Sequence, residues 1–157
     1  MSDFSAPPQS RRNPVIPREG DELISVRWED NVGVALVSHP WGLTLGTLED
    51  VQRWGEELFR KFAVIEQERG GRFPIVVCVD SLNIRPSVAE AYGRVVSSYA
   101  DRFASGLARY VNKPNGVGQI ITVAAMKEGY RANLFTSRGA AITQALAEAN
   151  GAKSRSS

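Results

Sequence analysis

Two side chains in the sequence are suited to acid–base chemistry, His39 and Asp80. His39 is the only histidine of the chain, and the unperturbed pKa of histidine lies near neutrality. Asp80 directly follows the apolar run Ile75–Val79, at the point where a buried strand would end, and α/β proteins gather ligands at such strand ends. An enzyme that uses both residues is one hypothesis. A solvated turn histidine and an aspartate that bonds its own loop are the simpler interpretations, and we favour them.

Other chemistry finds little support in the sequence. Cys78 is the only cysteine, which excludes a disulfide within the chain and any zinc site with several cysteines. It lies in an apolar run, where we expect a buried and unreactive thiol. P-loop, His-Glu-x-x-His and Gly-x-Ser-x-Gly motifs do not occur, and Gly116-Val117-Gly118 precedes a predicted strand instead of following one. We therefore expect no catalytic residue, metal ion or cofactor.

Three further residues are candidates for contact with a partner: Trp41, Arg85 and Ser87. Ser87 opens an amphipathic segment, and Glu90 three positions later completes a capping-box pattern. A helix capped by Ser87 is the simple interpretation, and a phosphate on Ser87 would meet the helix N-terminus close to Arg85. Trp41 lies between a proline and a glycine, so it either is exposed as an interface anchor or folds back over the core.

The first elements that could position these residues are a hairpin and a long helix. Residues 24–28 alternate between apolar and polar, and an apolar run follows over 32–37, which predicts two strands joined by a turn. Thr47 and Asp50 form a capping-box pair ahead of a sustained apolar stripe, and Gly70 ends it. The sequence thus predicts a hairpin followed by one amphipathic helix.

Strands and helices then alternate. The continuous apolar run 75–79 predicts a strand that is buried on both faces. The remaining predicted elements are a helix from Ser87 to just before Pro114, a strand Ile120–Ala125, and a final helix capped by Thr136 or Ser137 that closes at Asn150-Gly151. The order β-β-α-β-α-β-α predicts an α/β fold: a mixed sheet with an N-terminal hairpin and helices packed on the sheet.

Composition indicates the domain boundaries and limits the classes of partner. Residues 1–22 are proline-rich and predict a disordered tail, 151–157 predict a flexible tail, and one domain spans 23–150. The 19 basic and 17 acidic residues give a net charge of +2, which argues against nucleic acid as a partner. With no long apolar run and no signal-peptide pattern, we expect no integral membrane segment and a cytoplasmic location.

One basic stripe could serve as a docking face. Arg94, Arg102, Arg109 and Lys113 would share about a third of the circumference of the predicted second helix. Such a stripe suits an acidic partner or an anionic membrane surface. A solvated helix face is the simpler interpretation.

Three segments make the chain resemble the STAS-like family, the fold of anti-sigma-factor antagonists and of cytoplasmic domains of sulphate transporters. They are Gly42-Leu43-Thr44 ahead of a capped helix, Ile75–Asp80 ahead of the predicted helix at Ser87, and Asn133–Ala141, which is similar to the start of the final helix in divergent members. The resemblance covers residues 23 to 150. In signalling members a phosphorylated Ser or Thr begins the second helix, and Ser87 matches that position, although Arg85-Pro86-Ser87-Val88 replaces the family's Asp-Ser-Ser/Thr-Gly run.

The resemblance implies a non-enzymatic regulatory module in bacterial-type signalling, which docks a protein partner through its loops and the start of the second helix. The partner-binding residues we expect are Trp41, Asp80, Arg85 and Ser87. The sequence leaves open whether the module also forms a homodimer. The alternative is a protein that binds a small apolar ligand or lipid between sheet and helices. The residues that would line such a pocket, and would otherwise be core, are Phe59, Phe62, Tyr92, Tyr99 and Phe103.

Overall fold

A five-stranded mixed sheet forms the centre of the computed structural model, which describes residues 15–18, 22–80, 82–112 and 133–156. In chain order the elements are β1 (Ser25–Glu29), β2 (Val34–Ser38), β3 (Leu43–Leu45), α1 (Leu48–Arg69), β4 (Phe73–Cys78), β5 (Leu82–Ile84), α2 (Ala89–Phe103), β6 (Ala104–Tyr110), β7 (Leu134–Phe135) and α3 (Arg138–Ser156). The strand order in the sheet is β1-β2-β4-β6-β7. β1 is antiparallel to β2, and the other neighbours are parallel. The predicted α/β fold with a mixed sheet and an N-terminal hairpin is confirmed.

Different helices cover the two faces of the sheet. Ile75 of β4 packs in the core cluster that contains α1 and α2. Its neighbour Val76 packs in a second cluster with Ala108 of β6 and with Ala141 and Ala145 of α3. Successive residues of a strand point to opposite faces, so the unbroken apolar run of β4 is what a strand covered on both sides requires.

Helix α1 has the ends that the sequence predicts. The Thr47 hydroxyl accepts a hydrogen bond from the Asp50 backbone N–H at 3.1 Å, and the Asp50 carboxylate accepts one from the Thr47 N–H at 3.0 Å. Gly70 ends the helix in the left-handed conformation, with φ at 78°, which costs glycine little. These local signals hold α1 at the position from which its inner face reaches the sheet.

The second helix is shorter than the sequence predicts. The apolar spacing continues through Leu107, four residues after Phe103, and this suits one face of a longer helix. The structure instead ends α2 at Phe103 and pairs Ala104–Tyr110 with β4 as the parallel strand β6. The prediction of a helix up to Pro114 is therefore wrong, because the hydrogen-bonding edge of β4 takes this segment as its neighbour.

Small residues on β6 let α3 approach the sheet. Gly106 lies so close to α3 that a Cβ atom at this position would overlap the backbone carbonyl oxygen of Ala145. Ala108, two residues on, is fully buried against the same helix. The strand that the sequence predicts at Ile120–Ala125 lies outside the described residues.

Helix α3 starts as predicted and ends later. The Ser137 hydroxyl accepts a hydrogen bond from the Ala140 N–H at 3.2 Å, as expected of a cap. The helix then continues through Gly151 to Ser156, so the predicted stop at Asn150-Gly151 is wrong. An Asn-Gly pair ends a helix when the glycine turns left-handed, whereas Gly151 here lies within the helix. Within the described ranges, no helix combines the length and apolarity needed to cross a bilayer.

A short part of the predicted N-terminal tail packs on the domain. The Val15 N–H donates to the Gly42 carbonyl at 3.0 Å, and the Thr44 N–H donates to the Val15 carbonyl at 2.8 Å. Pro17 is buried, and its carbonyl accepts a hydrogen bond from the Arg53 guanidinium at 3.4 Å. The segment 15–18 therefore lies alongside β3 and the first turns of α1.

Candidate functional site

The two connections that leave the carboxyl ends of β2 and β4 pair with each other. Connections between a strand and the next helix commonly have 2–6 residues, whereas these run from Ser38 to Leu48 and from Cys78 to Ala89. Each contains a three-residue strand, and the two strands, β3 and β5, form a parallel pair that we call the ribbon. The four leucine and isoleucine side chains of the ribbon are buried. The ribbon therefore belongs to the core on its inner side and lies at the carboxyl edge of the sheet.

His39 is buried at the start of the first connection, so the interpretation as a solvated turn residue is wrong. The Trp54 indole N–H donates to His39 Nε2 at 3.2 Å, which leaves the ring proton on Nδ1, 3.1 Å from the Cys78 carbonyl oxygen. Burial lowers the pKa of His39 to about 4, against smaller raising effects of the Cys78 carbonyl and of Glu57. His39 is thus a neutral residue whose two nitrogens join the ends of β2 and β4 to α1.

Asp80 joins the second connection to the end of β6. One carboxylate oxygen accepts the Asn112 backbone N–H at 2.7 Å, and the other accepts the Asn112 side-chain amide at 3.0 Å. The Cys78 thiol lies 3.8 Å from the second oxygen. An acid–base pair of Asp80 with His39 would need a histidine nitrogen that is already bonded to Trp54 or Cys78. Ser81, next to Asp80 in the sequence, lies outside the described residues.

Trp41 and Arg85 lie at opposite ends of the ribbon, and both are exposed. Trp41 is 42% exposed just before β3, so the interpretation in which it folds over the core is wrong. Arg85 follows β5, and its backbone N–H donates to the Leu45 carbonyl at 3.0 Å. Its guanidinium Nε passes over Gly46, 3.0 Å from where a Cβ atom of that residue would stand. The absence of a side chain at Gly46 gives Arg85 its path across the ribbon end.

Ser87 does not cap α2, and the prediction that it does is wrong. It lies inside a 3₁₀ turn, Pro86–Val88, and α2 begins after Val88 without a side-chain cap. Pro86 occupies the first position of this turn, where its fixed φ is favourable. The turn moves the start of α2 past Ser87 and leaves the serine side chain exposed.

Arg109 is a buried residue that the sequence pattern places on an exposed helix face. It lies on β6 and is 3% exposed, so the predicted basic stripe is wrong. Burial raises the pKa of the Tyr92 and Tyr99 phenols, and the charge of the Arg109 guanidinium opposes that rise. Residues 105–110 show no alternation of apolar and polar side chains that could have identified a strand here. Lys113 lies outside the described residues.

The aromatic residues expected to line a ligand pocket pack on one another. The ring of Phe62 lies 5.2 Å from that of Tyr99 and 5.7 Å from that of Phe103, centroid to centroid. Phe59 packs on Phe103 at 5.4 Å. A ligand that bound between sheet and helices would have to separate these rings.

Over the described residues, no cluster of three or more His, Cys, Asp or Glu side chains is placed to hold a metal ion. Comparison with models of known protein families, with curated proteins and with solved structures found no match.

Proposed function

We propose that this chain is a STAS-like regulatory module that binds a protein partner through the outer surface of the ribbon. The observation that carries the proposal is the position of the ribbon, which occupies the sheet edge where α/β proteins commonly leave a crevice for a ligand. His39 and Asp80, the candidates for chemistry, make structural hydrogen bonds there. Trp41, Arg85 and Ser87 instead present exposed side chains, which suits recognition better than catalysis.

The order of elements supports the family part of the proposal. A hairpin is followed by α1, β4, α2, β6 and α3, with β3, β5 and β7 as short additions. The regions through which STAS-like proteins are expected to dock are the loops after the strands and the start of the second helix. In this chain those regions are the two connections that form the ribbon.

The exposed side chains define the chemistry of the partner. Tryptophan and arginine are enriched among residues that dominate binding energy. A partner that fits would place an apolar or aromatic side chain on Trp41 and a carboxylate on Arg85. A phosphate on Ser87 would put about two negative charges close to Arg85 and compete for the guanidinium, so phosphorylation would weaken this binding.

The test places a photo-crosslinking phenylalanine analogue at position 41 of the full chain, in cells that produce the protein. We expect one discrete crosslinked protein. Arg85→Glu and Ser87→Asp should each lower the yield about tenfold, which corresponds to the loss of one well-placed charged contact. The matched control carries the analogue at Val64, which is 53% exposed on α1 away from the ribbon.

Three outcomes would contradict the proposal. They are a yield that Arg85→Glu leaves unchanged, the same crosslinked protein from position 64, and turnover of a substrate by the purified chain. Circular dichroism of each variant establishes that the fold is retained.

A further inference from the structure

A groove of about 590 Å³ runs between α1 and α2 on the outer side of the domain. Its floor is apolar and includes Val51, Phe59 and Val95. The helices approach closely at Gly55, where a Cβ atom would lie 2.9 Å from a methyl carbon of Val95. Leu48 lines one end and is 66% exposed, the highest value among the large hydrophobic residues of the described part.

The walls of the groove carry opposite charges at one level. α1 and α2 each connect parallel strands of the same sheet, so they run in the same direction. The contact of Gly55 with Val95 sets their register. Glu56 and Arg94, each adjacent in sequence to one of these residues, therefore lie at about the same height, Glu56 on the α1 wall and Arg94 on the α2 wall.

We propose that a second copy of this chain fills the groove, related by a two-fold axis that runs along it. Such an axis lays α1 of each copy over α2 of the other, so Glu56 of one copy faces Arg94 of the other, and this contact occurs twice. A two-fold axis across the helices at this level would lay α1 on α1 and bring the two copies of Glu56 together, which is unfavourable. Charge complementarity therefore selects the axis along the groove.

A second copy of the chain provides the apolar side chain and the opposite charges that complement this surface. A two-fold interface uses the same patch on both partners, so the patch must complement itself. Here one patch holds an exposed leucine, a floor that it can cover and both members of the charge pair. Arg94 also contacts Glu90 one turn earlier at 3.1 Å, an exposed pair that water screens and that a facing carboxylate can join. This inference depends on the groove and is independent of partner binding by the ribbon.

The test is sedimentation velocity of the full chain over a range of concentrations. We expect the wild type to reach twice its monomer mass of 17.2 kDa. Glu56→Arg and Arg94→Glu should each weaken the dimer at least about tenfold, because each sets like charges against each other twice. An equal mixture of the two variants should dimerise again, since both contacts of the mixed dimer then join opposite charges.

A second pair of variants tests the apolar part of the interface. Leu48→Glu should weaken the dimer, and an acidic residue in the first turn of a helix is favourable to the helix itself, so the fold is retained. Val64→Glu, on α1 but outside the groove, should leave the dimer unchanged.

The proposal fails if the wild type stays monomeric, if the mixed variants stay monomeric, or if Val64→Glu acts as strongly as Leu48→Glu. A monomer that retains an apolar molecule in native mass spectrometry, or that binds a helix of another protein in the groove, would assign the groove to that occupant instead.

Discussion

Acidification should destabilise this protein through His39, and the effect has a defined direction. Burial lowers the pKa of His39 in the folded chain to about 4, whereas an unfolded histidine titrates near 6.5. Between these two pH values the unfolded chain binds a proton that the folded chain does not. Stability contributed by the neutral ring is therefore complete above about pH 6.5, is lost as the pH falls, and reaches its minimum near pH 4.

The size of this loss of stability follows from the folded and unfolded pKa values of His39. The gap between 6.5 and about 4, at about 1.4 kcal/mol per pKa unit, corresponds to about 3 kcal/mol of unfolding free energy. Domains of this size have total stabilities of about 5–15 kcal/mol, so the effect is large enough to measure. The unfolding free energy changes most steeply midway between the two pKa values, where one proton contributes about 1.4 kcal/mol per pH unit.

The assay is urea unfolding followed by tryptophan fluorescence at a series of pH values from 7.5 to 4. The comparison is His39→Gln, whose amide oxygen can accept the Trp54 N–H without titrating. Carboxylates titrate in both proteins, and the chain contains one histidine, so the difference between the two curves isolates His39. We expect the variant to be less stable at pH 7.5 and the two curves to converge toward pH 4.

Parallel curves would refute the reasoning, because they would mean that His39 binds its proton equally in the folded and unfolded chain. A ring-proton resonance of the folded protein that titrates near pH 6.5 would refute it independently. Either result would contradict a buried, neutral His39 ring that accepts the Trp54 N–H.

Three further predictions concern local features of the fold. Thr47→Ala should lower the unfolding free energy by about 1 kcal/mol in urea denaturation, while Thr47→Ser should retain most of it, because the α1 cap needs a side-chain oxygen. Gly106→Ala should prevent close packing of α3 and abolish a cooperative thermal transition, whereas Gly139→Ala, with nothing within 4 Å of its added Cβ, should raise the melting temperature slightly. Glu57→Ala should lower the free energy of unfolding by about 3 kcal/mol, because this buried carboxylate accepts a backbone N–H at 2.6 Å and contacts a lysine ammonium at 2.8 Å. Glu49 is exposed, so Glu49→Ala should lower the free energy of unfolding by less than about 1 kcal/mol. Equal effects of the two substitutions in any of these three pairs would contradict the corresponding contact.

The elements that sequence reasoning predicts correctly carry signals within a few residues of themselves. The Thr47–Asp50 pair and Gly70 mark the ends of α1, and Ser137 marks the start of α3. The unbroken apolar run of β4 indicates a strand covered on both faces. A cap, a turn or a local apolar run is decided by neighbours along the chain, so the sequence alone suffices there.

The candidate site depends on contacts that local patterns do not show. The spacing of Phe103 and Leu107 suits one face of a helix. Pairing with the edge of β4 instead places Leu107 in the strand β6, and Arg109 on the same strand is buried. Trp41 and Ser87 could each be read in two ways from their neighbours alone. In the structure Trp41 precedes the ribbon and is exposed, and the 3₁₀ turn Pro86–Val88 leaves Ser87 exposed.

The amino-acid sequence by itself determined the class of this fold, its N-terminal hairpin, the bounds of α1 and the buried central strand, because periodicity and capping act over a few residues. Only the tertiary structure decided where α2 ends, that β3 and β5 form a ribbon at the carboxyl edge, and that His39 is neutral and buried. Hydrogen bonds and desolvation at those points come from residues far away in the chain. Their effect on a side chain therefore depends on tertiary packing, which a short stretch of sequence does not determine.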